Sequence, residues 1–463
     1  MYFQQISTPG IGCFSYAIGC PSAGAMMVVD PRRDTDIYLR VAHEDGMRIT
    51  HIFDTHVHAD HISGAQQLRN ETNADIYIHE SATVAYDAKK LRHGDEFAFG
   101  KAHVRILHTP GHTPDSISLL VSDLARSQEP EMILTGDLLF VGDVGRPDLP
   151  GSDILDEQLE NLYNSLYRVL GKLPDYLEVY PGHGQGSLCG QGMSAKPFST
   201  LGYERLANPM LLHSDFADFK RAMMSSLPMR PKSFSGIIRD NMGMVVIIPR
   251  HEYISDYELT AEKVDKLRQS GSVVLDLRDA LSFSAAHIPG SIHVDASNTA
   301  MLNWIGAAIP PDTPLILILP HDKSFAQIRL ELQRIGYDMI NGWLKGGLAA
   351  WLRKGLKTRC TPHISVADLC ERLSEKSSLT LIDVRNPNEY AKTKIEGAIN
   401  LPLSRIFEND IPDRVLGQES IVICKSGFRA SLAASLIEVQ GYGGLKILSG
   451  GMDAWTMKEE KHD

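Results

Sequence analysis

Short apolar runs rich in β-branched residues alternate with amphipathic stretches along the first 250 or so residues. The runs are MMVVD, THIFDTH, DIYIH, VRILHTP, MILTGD and LEVYPGHG. This alternation predicts an α/β domain in which loops follow strands. The segment PMRPKSFSGIIRDNMGMVVIIPRHEYIS is rich in turn-forming residues and indicates the end of this domain. We therefore assign the domain to residues 1–250.

The rest of the chain contains an internal repeat with a period of about a hundred residues. VVLDLRDALSFSAAHIPGSIHVD aligns with LTLIDVRNPNEYAKTKIEGAINLP, and NGWLKGGLAAW aligns with LKILSGGMDAW. Each copy has an apolar strand that ends in Asp-x-Arg, a second apolar strand midway, and a Gly-Gly-x-x-Ala-Trp helix start. The repeat predicts two doubly wound α/β domains in tandem, over residues 255–357 and 360–463.

Length and composition agree with three globular domains in a chain of 463 residues. The net charge of -11 argues against binding to nucleic acid or to anionic membranes. No apolar run approaches the roughly 20 residues of a membrane span, and the N-terminus does not have the pattern of a secretory signal. The six cysteines include no CxxC pair, so we expect reduced thiols and a cytoplasmic protein.

Metal-ligand residues cluster after several of the predicted strands. The segment DTHVHADH follows the apolar run HIF, so that His56 and His58 share one strand face and the next turn brings back Asp60 and His61. Three more ligand types each follow a strand: His112, Asp137 and His183. Independent strand ends that each present a ligand type predict a metal site.

The motif from Thr55 to His61, T-H-x-H-x-D-H, together with the later ligands in their order, resembles the metallo-β-lactamase superfamily. The resemblance covers most of residues 1–245 and implies a four-layer αββα sandwich with the metal at one edge. SYAIGCPSAGAMMVVDP and TGDLLFVGDVGRPDLPG are similar to the persulfide dioxygenase and glyoxalase II branch. The Gly-Arg-Pro-Asp-Leu sequence near the end of the second segment is more similar to the persulfide dioxygenases that are fused to rhodaneses.

For the persulfide dioxygenases, the resemblance implies one non-haem Fe(II) held by His56, His112 and Asp137. Such a 2-His-1-carboxylate face leaves three adjacent positions for substrate sulfur and dioxygen. Four other residues would then orient the ligands or handle protons: His58, Asp60, His61 and His183. Hydrolases of the glyoxalase II type use the whole set to hold two metals, and these ligand types accept zinc as well as iron.

Two further residue types near this site have alternative interpretations. Arg146 follows Asp137 closely and would bind an anionic persulfide or its sulfite product, or else would form a structural salt bridge. Cys189 falls six residues after His183 and could line the same cavity, although we expect an inert core residue there. The same inert role is expected for four other cysteines: Cys13, Cys20, Cys360 and Cys370.

In the last repeat the apolar strand SIVI runs directly into a cysteine loop, and a helix-compatible stretch follows. A cysteine between a strand end and a helix start is surrounded by backbone N–H groups that stabilise a thiolate or an anionic persulfide. The loop resembles the rhodanese active-site loop, which implies that Cys424 carries the sulfane sulfur and Arg429 holds the anionic acceptor. The intervening residues would bind substrate: Lys425, Ser426, Gly427 and Phe428.

Two features depart from the rhodanese pattern. The usual His-Ile-Pro-Gly-Ala turn reads Lys394-Ile-Glu-Gly-Ala398 here, which we expect to affect packing more than chemistry. The middle domain has Pro320 or His321 near the cysteine position, and no cysteine occurs between Cys189 and Cys360. We therefore expect the middle domain to be catalytically silent.

Together the two sites predict an enzyme of sulfide detoxification. A low-molecular-weight persulfide would react with O₂ at iron to give thiol and sulfite, and the rhodanese domain would form or use thiosulfate. The alternatives are a zinc thioester hydrolase fused to a sulfurtransferase, and a non-catalytic sulfide sensor or scaffold. The expected small-molecule partners are the persulfide, O₂, sulfite and thiosulfate. The sequence leaves open whether the chain forms a homo-oligomer.

Overall fold

The computed structural model describes residues 1–190, 192–227, 230–249, 253–375, 379–412 and 419–459. The predicted domain ends at residues 250 and 463 lie outside the described residues. No helix in these ranges is long and apolar enough to cross a membrane.

The N-terminal region contains two six-stranded sheets. The first has the order β1-β2-β3-β4-β5-β6 and consists of β1 (Tyr2–Thr8), β2 (Cys13–Cys20), β3 (Ala25–Val29), β4 (Arg48–Phe53), β5 (Asp75–His79) and β6 (Lys89–Leu91). The second has the order β12-β11-β10-β9-β8-β7 and consists of β7 (Glu96–Phe99), β8 (Ala102–His108), β9 (Ile117–Asp123), β10 (Met132–Gly136), β11 (Glu178–Pro181) and β12 (Ser199–Thr200).

Helices cover the outer faces of the two sheets. They are α1 (Asp36–Glu44), α2 (Ala65–Thr72), α3 (Leu155–Asn164), α4 (Leu201–Ala207), α5 (Phe216–Ser226) and α6 (Ser233–Met242). One core lies between the sheets and includes Phe53 and Val121. Tyr38 of α1 packs in a second core with the first sheet, and Phe219 of α5 packs in a third with the second sheet. Three cores between four layers confirm the αββα sandwich.

Each repeat forms a five-stranded parallel sheet, and both sheets have the same order of strands: β13-β17-β16-β14-β15 and β18-β22-β21-β19-β20. The middle domain consists of β13 (Glu258–Leu259), α7 (Ala261–Gln269), β14 (Val273–Asp276), α8 (Ala280–Ala285), β15 (Ile292–His293), α9 (Met301–Ala308), β16 (Leu315–Ile318), α10 (Phe325–Arg334), β17 (Ile340–Leu344) and α11 (Gly347–Arg353). The last domain consists of β18 (His363–Ile364), α12 (Val366–Ser374), β19 (Thr380–Asp383), α13 (Pro387–Lys392), β20 (Ile399–Asn400), α14 (Leu403–Phe407), β21 (Ser420–Ile423), α15 (Phe428–Val439), β22 (Leu445–Leu448) and α16 (Gly451–Glu459).

The repeated Asp-x-Arg pair has the same structural role in both domains. Arg278 donates to both carboxylate oxygens of Asp276, and Arg385 does the same to Asp383, with shortest distances of 2.6 and 2.7 Å. The aspartates lie at the ends of β14 and β19 and are fully buried. A buried carboxylate needs such a partner, so the motif indicates structure rather than chemistry.

Helix α15, which follows the cysteine loop, packs against the middle domain. Its Ser435 Oγ accepts a hydrogen bond from the backbone N–H of His293 at 3.0 Å, and its Ser431 Oγ lies 2.8 Å from His293 Nδ1. Its Glu438 Oε2 lies 3.0 Å from Nε2 of the buried His287. The middle domain therefore supports the helix that follows the cysteine loop.

Candidate functional site

The predicted metal ligands all lie on loops that follow strands. Strand β4 ends at Phe53 and leads into the loop with His56, and β8 ends at His108 and leads into the loop with His112. Strand β10 ends at Gly136, directly before Asp137, and β11 ends at Pro181, two residues before His183. The two sheets thus bring ligands that are far apart in sequence to one edge of the sandwich.

Three of these residues form a compact donor set. One ligand atom each from His56, His112 and Asp137 lies within 4.8 Å of the others, and all three side chains are buried. His112 Nε2 is 3.4 Å from Asp137 Oδ2. Within the described residues, His56 Nε2, His112 Nε2 and Asp137 Oδ2 have no hydrogen-bond partner. Buried polar atoms are rarely left in this way, so the three atoms fit a bound metal ion.

Hydrogen bonds on the far side of each imidazole aim the free nitrogen at the site. His112 Nδ1 lies 2.8 Å from the backbone carbonyl oxygen of Arg146, so Nδ1 carries the proton and Nε2 the lone pair. His56 Nδ1 lies 3.0 Å from Thr55 Oγ1, which itself donates to Asp30. Burial lowers the pKa of both His56 and His112, which keeps the imidazoles neutral and able to bind metal.

Asp137 uses its two oxygens differently. Oδ1 lies 2.7 Å from His183 Nδ1, whereas Oδ2 is the atom without a hydrogen-bond partner within the described residues. Burial alone would raise the pKa of Asp137, but the interaction with His183 outweighs it and lowers the pKa. The carboxylate is therefore ionised, and it has one oxygen free for a metal while His183 holds the other.

Asp30 supports the ligand loop and was not identified from the sequence. It follows β3 with a positive φ of 50°. Its Oδ1 accepts from the backbone N–H of Thr55 at 2.7 Å and lies 3.1 Å from His58 Nε2, and its Oδ2 accepts from Thr55 Oγ1 at 2.9 Å. Burial alone would lower the pKa of His58, but Asp30 raises it to about 9. The only signal in the sequence is an acid at the end of an apolar run.

Replacing Asp30 by asparagine is expected to lower the affinity for a divalent metal about tenfold to a hundredfold, as for other groups that orient metal ligands. The amide keeps the shape of the carboxylate, but its NH₂ group cannot accept from Thr55. Competition with a chromophoric chelator measures the affinity. Asp45→Asn, which changes an exposed carboxylate, is the control and should leave the affinity unchanged. Equal affinities in both variants would show that Asp30 does not position the ligands.

The other predicted residues of this region lie in a second donor group. Asp60, His61 and His183 gather around Cys13, with donor atoms within 4.8 Å of one another. Cys13 is buried, as expected for a core cysteine, but its Sγ lies among polar atoms rather than in an apolar core. Like Asp30, Cys13 therefore lies at the site although the sequence did not predict it there.

Arg146 is buried and bound to a carboxylate. Its Nε and Nη2 each donate to Asp148 at 2.7 Å, and its Nη1 donates to the carbonyl of Leu188 at 3.3 Å. Its side chain also lines a cavity of about 290 Å³ that reaches Cys189 and has Met210 and Met223 on its wall. This geometry matches the salt-bridge alternative, and binding of an anion by Arg146 stays a prediction.

In the last domain, backbone groups of two glycines lie close to Cys424. The thiol is buried at the end of β21, and its Sγ accepts a hydrogen bond from the backbone N–H of Gly427 at 3.0 Å. Gly451 lies on the other side of the loop with a φ of +57°, and a Cβ there would be 2.3 Å from the carbonyl oxygen of Cys424. The Gly-Gly motif therefore allows α16 to begin directly behind the loop.

The side chains of the loop face different surroundings. Lys425 and Ser426 are exposed, and Arg429 donates to both carboxylate oxygens of Glu389 at 2.6 and 2.8 Å. That ion pair lowers the pKa of Glu389. The ring of Phe428 lies 6.1 Å, between centroids, from Trp304 of the middle domain. Arg429 is thus held in position by Glu389, and the middle domain contributes an aromatic neighbour to the loop.

The middle domain has the same strand but not the same loop. Cys424 is the first residue after β21, and the first residue after β16 is Leu319. Cys424 is also four residues before the start of α15, and the residue four before the start of α10 is His321. Both differ from a thiol, since Leu319 is a buried apolar residue and His321 is exposed. Neither of these two positions in the described loop therefore carries a thiol.

Comparison with known proteins agrees with this architecture. The metallo-beta-lactamase superfamily model matches residues 8–183, and the rhodanese-like domain model matches residues 260–354 and 365–458. A solved structure described as a metallo-beta-lactamase from Staphylococcus aureus subsp. aureus COL is 33% identical, with a TM-score of 0.66, over 74% of this chain and 98% of that chain. The chain belongs to the metallo-beta-lactamase superfamily. It is a metal-dependent enzyme of that superfamily fused to two rhodanese-like domains.

Curated relatives of the N-terminal region have different activities. The mitochondrial persulfide dioxygenase ETHE1 of Bos taurus is 27% identical over 209 residues, which are 45% of this chain and 75% of the relative. A hydroxyacylglutathione hydrolase of Polaromonas sp. is 32% identical over 173 residues, which are 37% of this chain and 61% of the relative. The choice between an oxygenase and a hydrolase therefore depends on the geometry of the site.

Proposed function

We propose that the N-terminal domain is an iron-dependent persulfide dioxygenase and that the last domain transfers sulfane sulfur to or from its product. The observation that carries the proposal is the state of Asp137. Because His183 holds Oδ1, the carboxylate offers only Oδ2 to a metal, alongside two imidazole nitrogens. A 2-His-1-carboxylate set on a single ion is typical of non-haem iron oxygenases.

His56, His112 and Asp137 would hold the iron. Ferrous iron on such a face supplies open positions at which a persulfide sulfur and dioxygen react. The protein contributes the fixed orientation of the three donors through Thr55 and the carbonyl of Arg146. The burial of all three side chains restricts water at the reacting atoms.

The proposed reaction balances without a further reductant. A thiol persulfide, R–S–SH, reacts with O₂ and water to give R–SH, sulfite and two protons. The terminal sulfur is oxidised and loses its bond to the inner sulfur, while both oxygen atoms of O₂ are reduced.

The second site acts on the product. The Cys424 thiolate attacks the outer sulfur of a second persulfide, so that the carrier thiol leaves and Cys424 becomes a persulfide. Sulfite then attacks the outer sulfur of Cys424, so that thiosulfate leaves and the Cys424 thiolate returns. The backbone N–H of Gly427 and the positive end of α15 stabilise the anionic sulfur. Arg429, positioned by Glu389, carries the positive charge that attracts sulfite. The covalent tether raises the effective concentration of sulfite at this site.

Oxygen uptake tests the proposal in the anaerobically purified, iron-loaded chain. Glutathione persulfide, cysteine persulfide and coenzyme A persulfide serve as substrates, and a glutathione thioester serves as the probe for hydrolysis. We expect one O₂ consumed for each persulfide that is oxidised to sulfite, which is one O₂ for every two persulfides when the last domain converts that sulfite to thiosulfate, and no hydrolysis of the thioester. Thioester hydrolysis without oxygen uptake would instead assign the N-terminal domain to the hydrolases.

A further inference from the structure

The loop that connects β4 to α2, residues 54–63, carries several of the predicted metal-site residues, and we call it the ligand loop. It belongs to no helix or strand, so its backbone N–H and C=O groups need hydrogen bonds from elsewhere wherever they are buried. His58, His61 and Ile62 are at most 3% exposed. Four backbone groups from His58 to Ser63 find such partners in two residues outside the loop.

Asn241 of α6 supplies three of these four hydrogen bonds. Its Nδ2 donates to the backbone carbonyls of His58 at 2.9 Å and of His61 at 2.8 Å. Its Oδ1 accepts from the backbone N–H of Ser63 at 2.9 Å. A neutral amide has both the two donors and the acceptor that this arrangement needs, and Asn241 is buried.

Arg334, the last residue of α10, supplies the fourth hydrogen bond. Its backbone carbonyl oxygen accepts from the backbone N–H of Ile62 at 2.7 Å. The last carbonyls of a helix have no partner inside it. Gly336 turns the chain away with a φ of +85°, and the backbone N–H of Tyr337 then donates to the carbonyl of Leu332 at 3.0 Å. The carbonyl of Arg334 therefore stays available for the ligand loop.

Two bidentate salt bridges hold the end of α10 in this position. Arg334 donates from Nε and Nη2 to the two carboxylate oxygens of Asp34, both at 2.8 Å. In the opposite direction, Arg33 donates to both carboxylate oxygens of Asp338 at 2.7 and 2.9 Å. Both arginines are buried, and such paired bonds fix orientation as well as distance. Residues Leu330–Asp338 accordingly pack in one compact unit with the N-terminal region.

Two hydrogen bonds connect the ligand loop to Asp137, one of the proposed metal ligands. Asp60 Oδ2, in the loop, lies 2.7 Å from His183 Nε2. His183 Nδ1 in turn lies 2.7 Å from Asp137 Oδ1. A displaced loop backbone would move Asp60 and weaken the hydrogen bond that orients His183. The position of Asp137 Oδ2, the proposed donor to the metal, therefore depends on the loop.

We propose that Asn241 and Arg334 are positioning residues of the metal site, which act by fixing the backbone of the ligand loop. Their role rests on the proposed function, in which His56, His112 and Asp137 hold a metal. Arg334 belongs to the middle domain by sequence, so a stretch of a rhodanese-like domain completes the support of the metal ligands in the N-terminal region. The middle domain thereby has a role that needs no thiol of its own.

The zinc affinity of the metal-depleted full-length chain tests these roles without catalysis, by competition with a chromophoric chelator. Asn241→Leu keeps a similar volume but has no hydrogen-bonding atom in its side chain. We expect it to lower the affinity about tenfold, as for a group that orients metal ligands. Asn70→Leu, which changes an exposed asparagine, is the control and should leave the affinity unchanged.

Arg334→Gln removes the bidentate pair with Asp34, and we expect the zinc affinity to fall about threefold to tenfold, because the side chain acts through the loop. Arg334→Lys keeps the charge and one hydrogen bond, so its affinity should lie between those of Arg334→Gln and the wild type. Asp34→Asn combined with Arg334→Gln should lower the affinity no further than the larger single change, since both break one interaction. Arg353→Gln, at the exposed last residue of α11, is the matched control.

Circular dichroism of the same samples shows whether each variant is folded, and thiosulfate sulfurtransferase activity should equal that of the wild type. If Asn241→Leu did not fold, the Arg334 series would decide by itself. Unchanged zinc affinity in the folded variants, or an equal fall in the two controls, would overturn the proposal. None of these results depends on oxygen uptake, so failure here and failure of the proposed function are distinguishable.

Discussion

Replacing His112 by alanine is expected to reduce persulfide-dependent oxygen uptake at least about a hundredfold, because the loss of a direct ligand exceeds the tenfold to hundredfold cost of losing a group that only orients one. His112 is fully buried, and its Nε2 points at the donor set while its Nδ1 is held by the carbonyl of Arg146. The remaining two donors cannot form the three-donor face on which iron is held.

Iron content, oxygen uptake and thiosulfate sulfurtransferase activity measure this effect together. The control is His103→Ala, which changes a partly exposed histidine on the neighbouring strand β8 and should leave all three quantities unchanged. The sulfurtransferase activity of His112→Ala should equal that of the wild type, since Cys424 is far from His112 in sequence and lies in another domain. A His112→Ala variant with full iron content would contradict the assignment of this residue as a ligand.

The second large effect is expected for Cys424→Ser. A hydroxyl cannot form a persulfide under these conditions, so sulfurtransferase activity should fall at least about a thousandfold, as expected when a covalent nucleophile is removed. Oxygen uptake should persist, and the product should change from thiosulfate to sulfite. Cys360→Ser, at an exposed cysteine, is the matched control and should retain both activities.

Product analysis after complete turnover of a thiol persulfide distinguishes the possible outcomes. Sulfite that accumulates in Cys424→Ser, with thiosulfate in the wild type, would show that the last domain consumes what the first produces. Unchanged thiosulfate in the variant would exclude Cys424 as the sulfur carrier. Oxygen uptake that is lost in Cys424→Ser would instead indicate that the rhodanese step supplies persulfide to the iron site.

The sequence predicts the architecture well because its signals are local and repeated. The Asp-x-Arg and Gly-Gly-x-x-Ala-Trp motifs recur at a fixed distance, so two like domains follow even though one has no active cysteine. Apolar runs followed by ligand residues predict strands with functional loops, and β4, β8, β10 and β11 end where those loops begin. Periodicity and strand ends can be read without tertiary information.

The parts of the site that escape prediction depend on tertiary pairing. Asp30 contacts Thr55 and His58 only because β3 and β4 pair in parallel. Cys13 contacts His183, 170 residues away, through an isolated antiparallel β-bridge that no local sequence pattern predicts. For Arg146 the sequence leaves substrate binding and a structural salt bridge open. The structure shows the salt bridge to Asp148, and binding of an anion stays a prediction.

The structure shows how the candidate metal ligands are grouped, which the sequence alone does not. The seven candidate ligands have the composition of a two-metal hydrolase as well as of an iron oxygenase. In the structure six of them divide into a three-donor set (His56, His112 and Asp137) and a thiol-containing set around Cys13, with His183 hydrogen-bonded to Asp137. The seventh, His58, lies beside Asp30. The three-donor set fits the single catalytic metal of the proposed function.

The most direct test of the account is the metal content of chain purified anaerobically, measured together with oxygen uptake on addition of a thiol persulfide. The account predicts one iron per chain and oxygen consumption that depends on both the iron and the persulfide. Zinc in place of iron, with no oxygen uptake even after reconstitution with Fe(II), would contradict it and would move the activity of the N-terminal domain to hydrolysis.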